Sequence, residues 1–421
     1  MPHWRWILRE LLSRIWFRAA MIAFLSVLLA LSAAALAPIM PYDLSIKIGA
    51  KATDNILTIL ASSMLAVTTF SLTAMVTAFS GAAQLGTPRA TELLIEDKTA
   101  QNALSIFLGG FLFAIVGVIA LSTGLYGEQG RAILLIGTIL MIAWIAVTLL
   151  RWIGRLAYFG RLGDTIARVE RKSRDQLEAY PGARIFSGRA AIAMPPDAIA
   201  VPAEGAGYIA HVDRQSLAGL ATEAGVELVL CAPPGQFVRK GSPLAWSRPP
   251  ATGLDHEKVR ARFTVHRSRD LDQDPRFGMV VLSEIASRAL SPAVNDPGSA
   301  IAVLVSAQRV LERFLDAPSA PAPYPGLLDH PLSLEEMVED LVLPIARDGA
   351  HLVEVGIQLQ KLLGGLAETF PGAAGAMARL ASDARGRAMD ALSAKTDRER
   401  LDRAHGAAFP SEVLRAGPSV S

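Results

Sequence analysis

Four stretches of this chain contain no Asp, Glu, Lys or Arg: Ala19–Tyr42, Asn55–Pro88, Thr99–Gly127 and Ala132–Leu150. A helix rises 1.5 Å per residue, so crossing a bilayer core of about 30 Å takes about 20 residues. Each stretch is long enough, the fourth only just. Lipid offers the backbone no hydrogen bonds, so a segment inside it must satisfy its own, which selects helix. Soluble helices of this length carry a polar stripe, so four transmembrane helices are the reading, not four buried helices of a soluble fold.

The first stretch has a basic lead (Arg5, Arg9, Arg14, Arg18) and ends in Ala35-Leu36-Ala37, as a cleavable signal does. Pro38 follows at once and disfavours cleavage, so the stretch reads as a retained helix. Arg151, Arg155, Arg161, Arg168, Arg171, Lys172 and Arg174 follow the fourth stretch. Basic residues at both flanks place both ends in the cytoplasm, with four crossings. Trp4, Trp6, Trp16, Trp152 and Tyr158 suit the interfacial belts. The net charge of +2 points to no nucleic-acid partner. Cys231 is the only cysteine, so there is no internal disulfide, as fits a cytoplasmic polar half.

In the second stretch, at 100° per residue, Asn55, Thr58, Ser62, Thr69, Thr73, Thr77, Ser80 and Gln84 fall within an arc of roughly 100°. Two readings are open. Polar side chains in a membrane line a water-filled path, or small and hydroxyl residues let helices pack while bonding their own backbone. Arg89, just past this stretch, is either the inner mouth of such a path or a positive-inside anchor. No charged residue lies inside any span, which disfavours a proton-coupled pump.

Leu162, Ile166, Val169, Ser173, Leu177 and Tyr180 recur at spacings of four and three. The pattern is either the fourth helix continuing outward with one apolar seam or a separate amphipathic helix on its own domain. Between Ala198 and Trp246, Ala206–Val212 and Val226–Leu230 read as strands and Gln215–Glu223 as a short helix. Pro234-Gly235 and Lys240-Gly241 read as turns. The phrase from Val226 to Trp246 resembles half of a biotinyl/lipoyl-type barrel without its Met-Lys-Met tip, so a small β module with no attached cofactor is expected.

The densest polar cluster runs through Arg260, Arg262, His266, Arg267, Arg269, Asp270, Asp272, Asp274 and Arg276. Alternating Asp can hold a cation and Arg can grip phosphate, but a calcium loop's Gly and final Glu are missing. The structural alternative is capping: Asp274-Pro275 ahead of Phe277–Leu290, and Asn295-Asp296-Pro297 ahead of Ile301–Leu315. Asp272, Asp274, Asn295 and Asp296 are thus candidate polar-site residues with structure favoured over ligand. Ala317–Pro325 reads as a linker. Ser333 and Glu336 form a capping box for a helical Ser333–Leu366 that Pro344 should kink or interrupt. His351 and Glu354 lie one turn apart without any His-Glu-x-x-His pattern.

The phrase Gln273-Asp274-Pro275-Arg276-Phe277-Gly278, with Ser291-Pro292-Ala293-Val294-Asn295-Asp296-Pro297 and Thr87-Pro88-Arg89, resembles the hallmark of a bacterial family of predicted membrane proteins. That family is a domain of unknown function, number two-two-five-four. The resemblance implies a bacterial inner-membrane protein and no activity. The expected fold is mostly α. A four-helix transmembrane domain (1–160) leads through a linker helix and loop (161–197) to a small β-barrel-like module (198–262). A helical cytoplasmic domain (263–395) and a polar, partly disordered tail (396–421) follow. The expected function is an oligomeric channel or transport pore with a cytoplasmic regulatory domain, the alternative a membrane-anchored scaffold or sensor. No nucleophile triad, phosphate loop, dinucleotide fingerprint or zinc spacing appears, so no enzyme, cofactor or metal is expected. The expected partners are the lipid bilayer and further copies of the chain.

Overall fold

The structure, a computed structural model, describes residues 15–36, 50–85, 87–90, 97–124, 128–156, 160–190, 193–196, 198–249, 254–314 and 324–410. The chain divides into two compact units. A helical membrane unit takes the described residues up to Gln84 and from Asp97 to Arg161; an α/β unit takes 87–90 and everything from Leu162 on.

The membrane unit contains α1 (Ile15–Leu36), α2 (Ala50–Leu85), α3 (Lys98–Ser122) and α4 (Glu128–Leu156). Among the described residues three helices have spans long and apolar enough to cross a membrane: Thr53–Ala83, Lys98–Ser122 and Gly130–Leu156. In α1 the apolar segment is Ala19–Ser32, which rises about 21 Å at 1.5 Å per residue. The expectation of four spanning helices is therefore met for three. The N-terminal arginines Arg5, Arg9 and Arg14 lie outside the described residues.

Helix α3 is the hub of this unit, and small residues are the reason. A Cβ on Gly109 would lie 2.6 Å from Ser26 Oγ, one on Gly110 2.7 Å from Ile145 Cδ1, and one on Gly117 3.1 Å from Leu57 Cδ1. Glycine thus admits α1 and α4 closely and makes room for the Leu57 side chain of α2, and dispersion replaces the hydrophobic effect that lipid removes. Phe107, Phe113, Leu57, Leu134 and Trp152 fill the spaces between. Trp152 Nε1 donates to Ser71 Oγ at 3.1 Å. Asp97 accepts from Ala100 N at 2.9 Å, capping α3, and pairs with Arg155 at 3.0 Å.

In the α/β unit, α5 (Leu162–Ala179) is a separate helix and not the continuation of α4, because Gly160 turns the chain at φ +79°. Its seam of Ile166, Val169, Ser173 and Leu177 is buried against two helices of its own unit, α8 and α9 below. A short parallel pair joins β1 (Arg184–Ile185) to β9 (Leu332–Ser333). Between them come β2 (Ile199–Pro202), β3 (Gly207–Val212), α6 (Arg214–Ala224), β4 (Glu227–Leu230), β5 (Phe237–Val238), β6 (Pro243–Arg248), α7 (His256–Arg260) and β7 (Phe263–His266). The expected strands and short helix are present, but they close no barrel. One sheet has the order β2-β6-β4-β8, where β8 (Leu327–Leu328) joins in parallel, and a second has the order β5-β3-β7. Val201, Ile209, Leu217, Leu228, Val238 and Leu244 form their common core.

The helical part comprises α8 (Phe277–Ala289), α9 (Pro297–Leu311), α10 (Leu334–Asp348), α11 (Val353–Thr369), α12 (Ala374–Ala391) and α13 (Lys395–Ala408). Pro344 sits inside α10 without ending it; the break falls instead at Gly349–Leu352. His351 and Glu354 are both exposed. Residues 396–408, expected within a polar tail, belong to α13. Its buried Leu401 packs with Ala388 and Leu392, and Gly364 brings α11 so near that a Cβ would lie 2.7 Å from Ala408 Cβ. Residues 411–421 and most of the Ala317–Pro325 linker lie outside the described residues.

Candidate functional site

On α2 the buried residues Thr53, Leu57, Leu60, Met64, Ser71, Met75 and Ala82 define the packed face. At 100° per residue this face is centred about 180° from the hydroxyl arc. Asn55, Thr58, Ser62, Thr69, Thr73, Thr77 and Ser80 are accordingly all exposed on the single chain. Gln84 belongs to the helix, and its side chain lies outside the described residues. Among the described residues the arc takes no part in the packed core. Several of its hydroxyls bond their own backbone: Ser62 Oγ donates to Thr58 O at 3.1 Å, Thr69 Oγ1 to Leu65 O at 2.9 Å and Thr73 Oγ1 to Thr69 O at 3.0 Å. Apolar Val76 shares the arc and is 57% exposed.

Arg89 belongs to the α/β unit, where its guanidinium pairs with Glu284 of α8. Burial pushes the Glu284 carboxyl up from its ordinary value, and Arg89 and Thr87 oppose that shift. A charge neutralised in this way is a weaker candidate for selecting anions at an inner mouth.

The phrase Gln273–Gly278 gathers the unit's pieces. Gln273 Oε1 accepts from Val212 N at 3.0 Å, and its amide meets His211 Nδ1 at 2.7 Å. Asp274 is buried, and its carboxylate accepts from Arg276 N and Phe277 N, both at 3.1 Å, and from Arg269 at 2.6 Å. It caps α8 across a turn, since the helix begins at Phe277 and not at Pro275. Burial pushes the Asp274 pKa up; Arg269 and the two amides pull it back. Arg276 pairs with Glu336 at 3.0 Å and Asp340 at 2.9 Å. Gly278 lies against Ser173 with no room for a Cβ, which seats α8 on α5. Asp272 pairs with Lys172 at the surface. Asn295 adopts φ +46°, and Asp296 caps α9 by accepting from Ser299 N at 3.1 Å and Ser299 Oγ at 2.6 Å. Those bonds hold the Asp296 carboxyl below its usual range.

Beside Asp274 a cleft of about 490 Å³ opens between the Cys231–Gln236 turn, Arg269–Arg276 and His330–Glu336. Its arginines are committed to Asp274, Asp340 and Glu336. Burial pushes the Cys231 thiol up to about 11, so it is neutral near pH 7 and a poor nucleophile. Among the described residues no three His, Cys, Asp or Glu side chains gather as a metal site.

Asp270 is half-buried near Asp272 and Asp274, and burial raises its carboxyl to about 6. The folded state then holds a proton that the unfolded chain releases near pH 4. Stability on this account falls as pH rises from about 4 to about 6, and the loss is complete above that. Asp270→Asn, which keeps an acceptor for Asp272 N, is expected to stabilise the protein by about 1 kcal/mol above pH 7, allowing for solvent screening. Thermal melts should show no gain at pH 4; an equal gain at both pH values would remove ionisation as the cause.

Two groups escaped sequence reading. Arg214 and Asp329 form a buried ion pair, 8% and 7% exposed, beneath the Tyr180 ring. Gly235, a turn residue in sequence, proves to be the seat of the Asp274 carboxylate.

The family described as "Predicted membrane protein (DUF2254)" matches residues 12–364, which include both units and both phrases at Gln273–Gly278 and Ser291–Pro297. The chain belongs to this family. An uncharacterized protein of Mycobacterium bovis and one of Mycobacterium tuberculosis are each 37% identical to it over 116 residues. Each match covers 26% of this chain and 22% of the relative's length. No solved structure matches. Membership makes this a predicted membrane protein whose family has no assigned activity, and in the structure the family's phrases are tied up in caps, ion pairs and close helix packing.

Proposed function

We propose that this chain is one subunit of a homo-oligomeric channel or transport pore with a regulatory α/β domain in the bacterial cytoplasm. In this reading α1 completes a fourth crossing, both termini are cytoplasmic, and copies of α2 surround a path for small ions or solutes. One observation carries the reading. The Asn55–Ser80 hydroxyl arc faces directly away from the packed core of its own bundle and is exposed among the described residues, so a neighbouring subunit or lipid is what we expect to cover it. Polar side chains favour a cavity over hydrocarbon. The test places cysteine at Thr69 or Thr73 in a Cys231→Ser background, reconstituted in liposomes. Modification by a small charged thiol reagent, together with ion flux that the reagent blocks, is expected. A shielded cysteine with no flux in the parent would remove the path.

The second reading is a scaffold or sensor without transport. The back-bonded hydroxyls of Ser62, Thr69 and Thr73 favour it, since they need no water and tolerate a dry helix interface. Crosslinked but unmodifiable cysteines at Thr69 would select it.

A further inference from the structure

In the sheet β5-β3-β7 the central strand β3 is buried along most of its length, and the exposed apolar side chain lies at the β5 edge. Tyr208 stands directly opposite Phe237 on β5 and His266 on β7, so the three side chains share a face. Tyr208 and Phe237 meet edge to face with ring centroids 5.2 Å apart, yet Phe237 is 52% exposed. Val238, the next residue, is fully buried. A large aromatic ring held on the outside of a strand whose neighbour is fully buried is an apolar contact point that no described residue covers.

The surround of this ring pair is basic. Arg239, Lys240 and Arg267 are exposed, and none has an ion-pair partner among the described residues. Elsewhere in the unit arginines are paired as a rule: Arg214, Arg269, Arg276 and Arg309 all meet carboxylates. The nearby acid Glu204 is committed to Arg260 at 3.0 Å. An exposed aromatic ring ringed by unpaired cations matches an anionic lipid surface, where rings settle at headgroup depth and cations meet phosphate.

The chain itself points to the same partner. The same chain carries three helices, among the described residues, long and apolar enough to cross a membrane. Tethering then keeps a lipid surface at high effective concentration.

We infer that the Phe237–Tyr208 face, with Arg239, Lys240 and Arg267, docks the α/β unit onto acidic phospholipid of the membrane that the same chain enters. A basic side chain at such a surface shifts the docked-to-free ratio by roughly fivefold, so three give about a hundredfold. The face belongs to the α/β unit, so the inference stands or falls independently of the pore reading.

The test uses the full chain in nanodiscs, with a dye at Gln236→Cys in a Cys231→Ser background. Quenching by brominated acyl chains is expected with phosphatidylglycerol present and not with phosphatidylcholine alone. High salt, or the combined Arg239→Glu, Lys240→Glu and Arg267→Glu changes, should abolish it. Equal quenching in both lipids, or none in either, would overturn the inference. A dye shielded from water but never quenched would assign the face to a protein partner instead.

Discussion

Gly235→Ala is expected to be among the most damaging single-methyl changes in the α/β unit. Gly235 sits at φ +89°, where a side chain costs about 1–2 kcal/mol by itself. Its new Cβ would also fall on the Asp274 carboxylate, within 2.8 Å of even the farther oxygen. That carboxylate cannot swing aside cheaply. It is held by Arg269 at 2.6 Å and by the amides of Arg276 and Phe277 at 3.1 Å. Displacing it gives up a cap worth about 0.5–2 kcal/mol and leaves Arg269 short of its acid, a further cost of about 1–3 kcal/mol. A total of about 3–5 kcal/mol is expected, read as a fall in thermal midpoint and as faster hydrogen exchange in α8 and β4. The control is a double-mutant cycle. With Asp274 already Ala, Gly235→Ala should cost only its backbone part, about 1–2 kcal/mol. An equal cost in both backgrounds would show that the close approach is not the cause.

This contact marks the boundary of what the sequence discloses. Caps are local: Asp296 reaches Ser299, and Ser333 reaches Glu336, so spacing alone announces them. Gly235 and Asp274 are far apart in sequence, and nothing in a Pro-Gly turn says that a carboxylate lies under it. Strands were legible for the same local reason, while their pairing was not. β8 comes from residues 327–328 and joins β4 in parallel, which leaves two open sheets where a local reading suggested a barrel. In the membrane unit the hydroxyl arc of α2 followed from its period, but its direction did not. Leu57 and Met64 on the packed face and Ile59 and Phe70 on the exposed face are equally apolar, and in lipid apolarity no longer marks burial. Helix α13 was hidden by the opposite bias, since its many charged residues surround the single buried Leu401.

The Arg214–Asp329 pair predicts the other large effect. Arg214 begins α6 and Asp329 follows β8, so the pair ties the β module to the strand that completes its sheet. Arg214 also reaches Gln273 Oε1 at 3.4 Å, and its guanidinium lies 5.4 Å from the centre of the Tyr180 ring. Tyr180 in turn donates to His330 O at 2.8 Å, and burial raises its hydroxyl well above the usual range. Asp329→Ala would leave a guanidinium buried with no acid beside it. Breaking one side of such a pair costs about 3–5 kcal/mol, because the stranded charge loses water and partner together. Replacing both sides by apolar residues of similar volume, Arg214→Met with Asp329→Leu, removes the stranded charge and is expected to recover most of that loss. Chemical denaturation of the parent and the two variants in one detergent distinguishes the cases. A double variant as unstable as Asp329→Ala would mean that the geometry around Tyr180 and Gln273, and not charge compensation, is what the pair supplies. Recovery in the double variant would instead identify Asp329 as the counter-charge that lets Arg214 be buried at the junction of β module and helices.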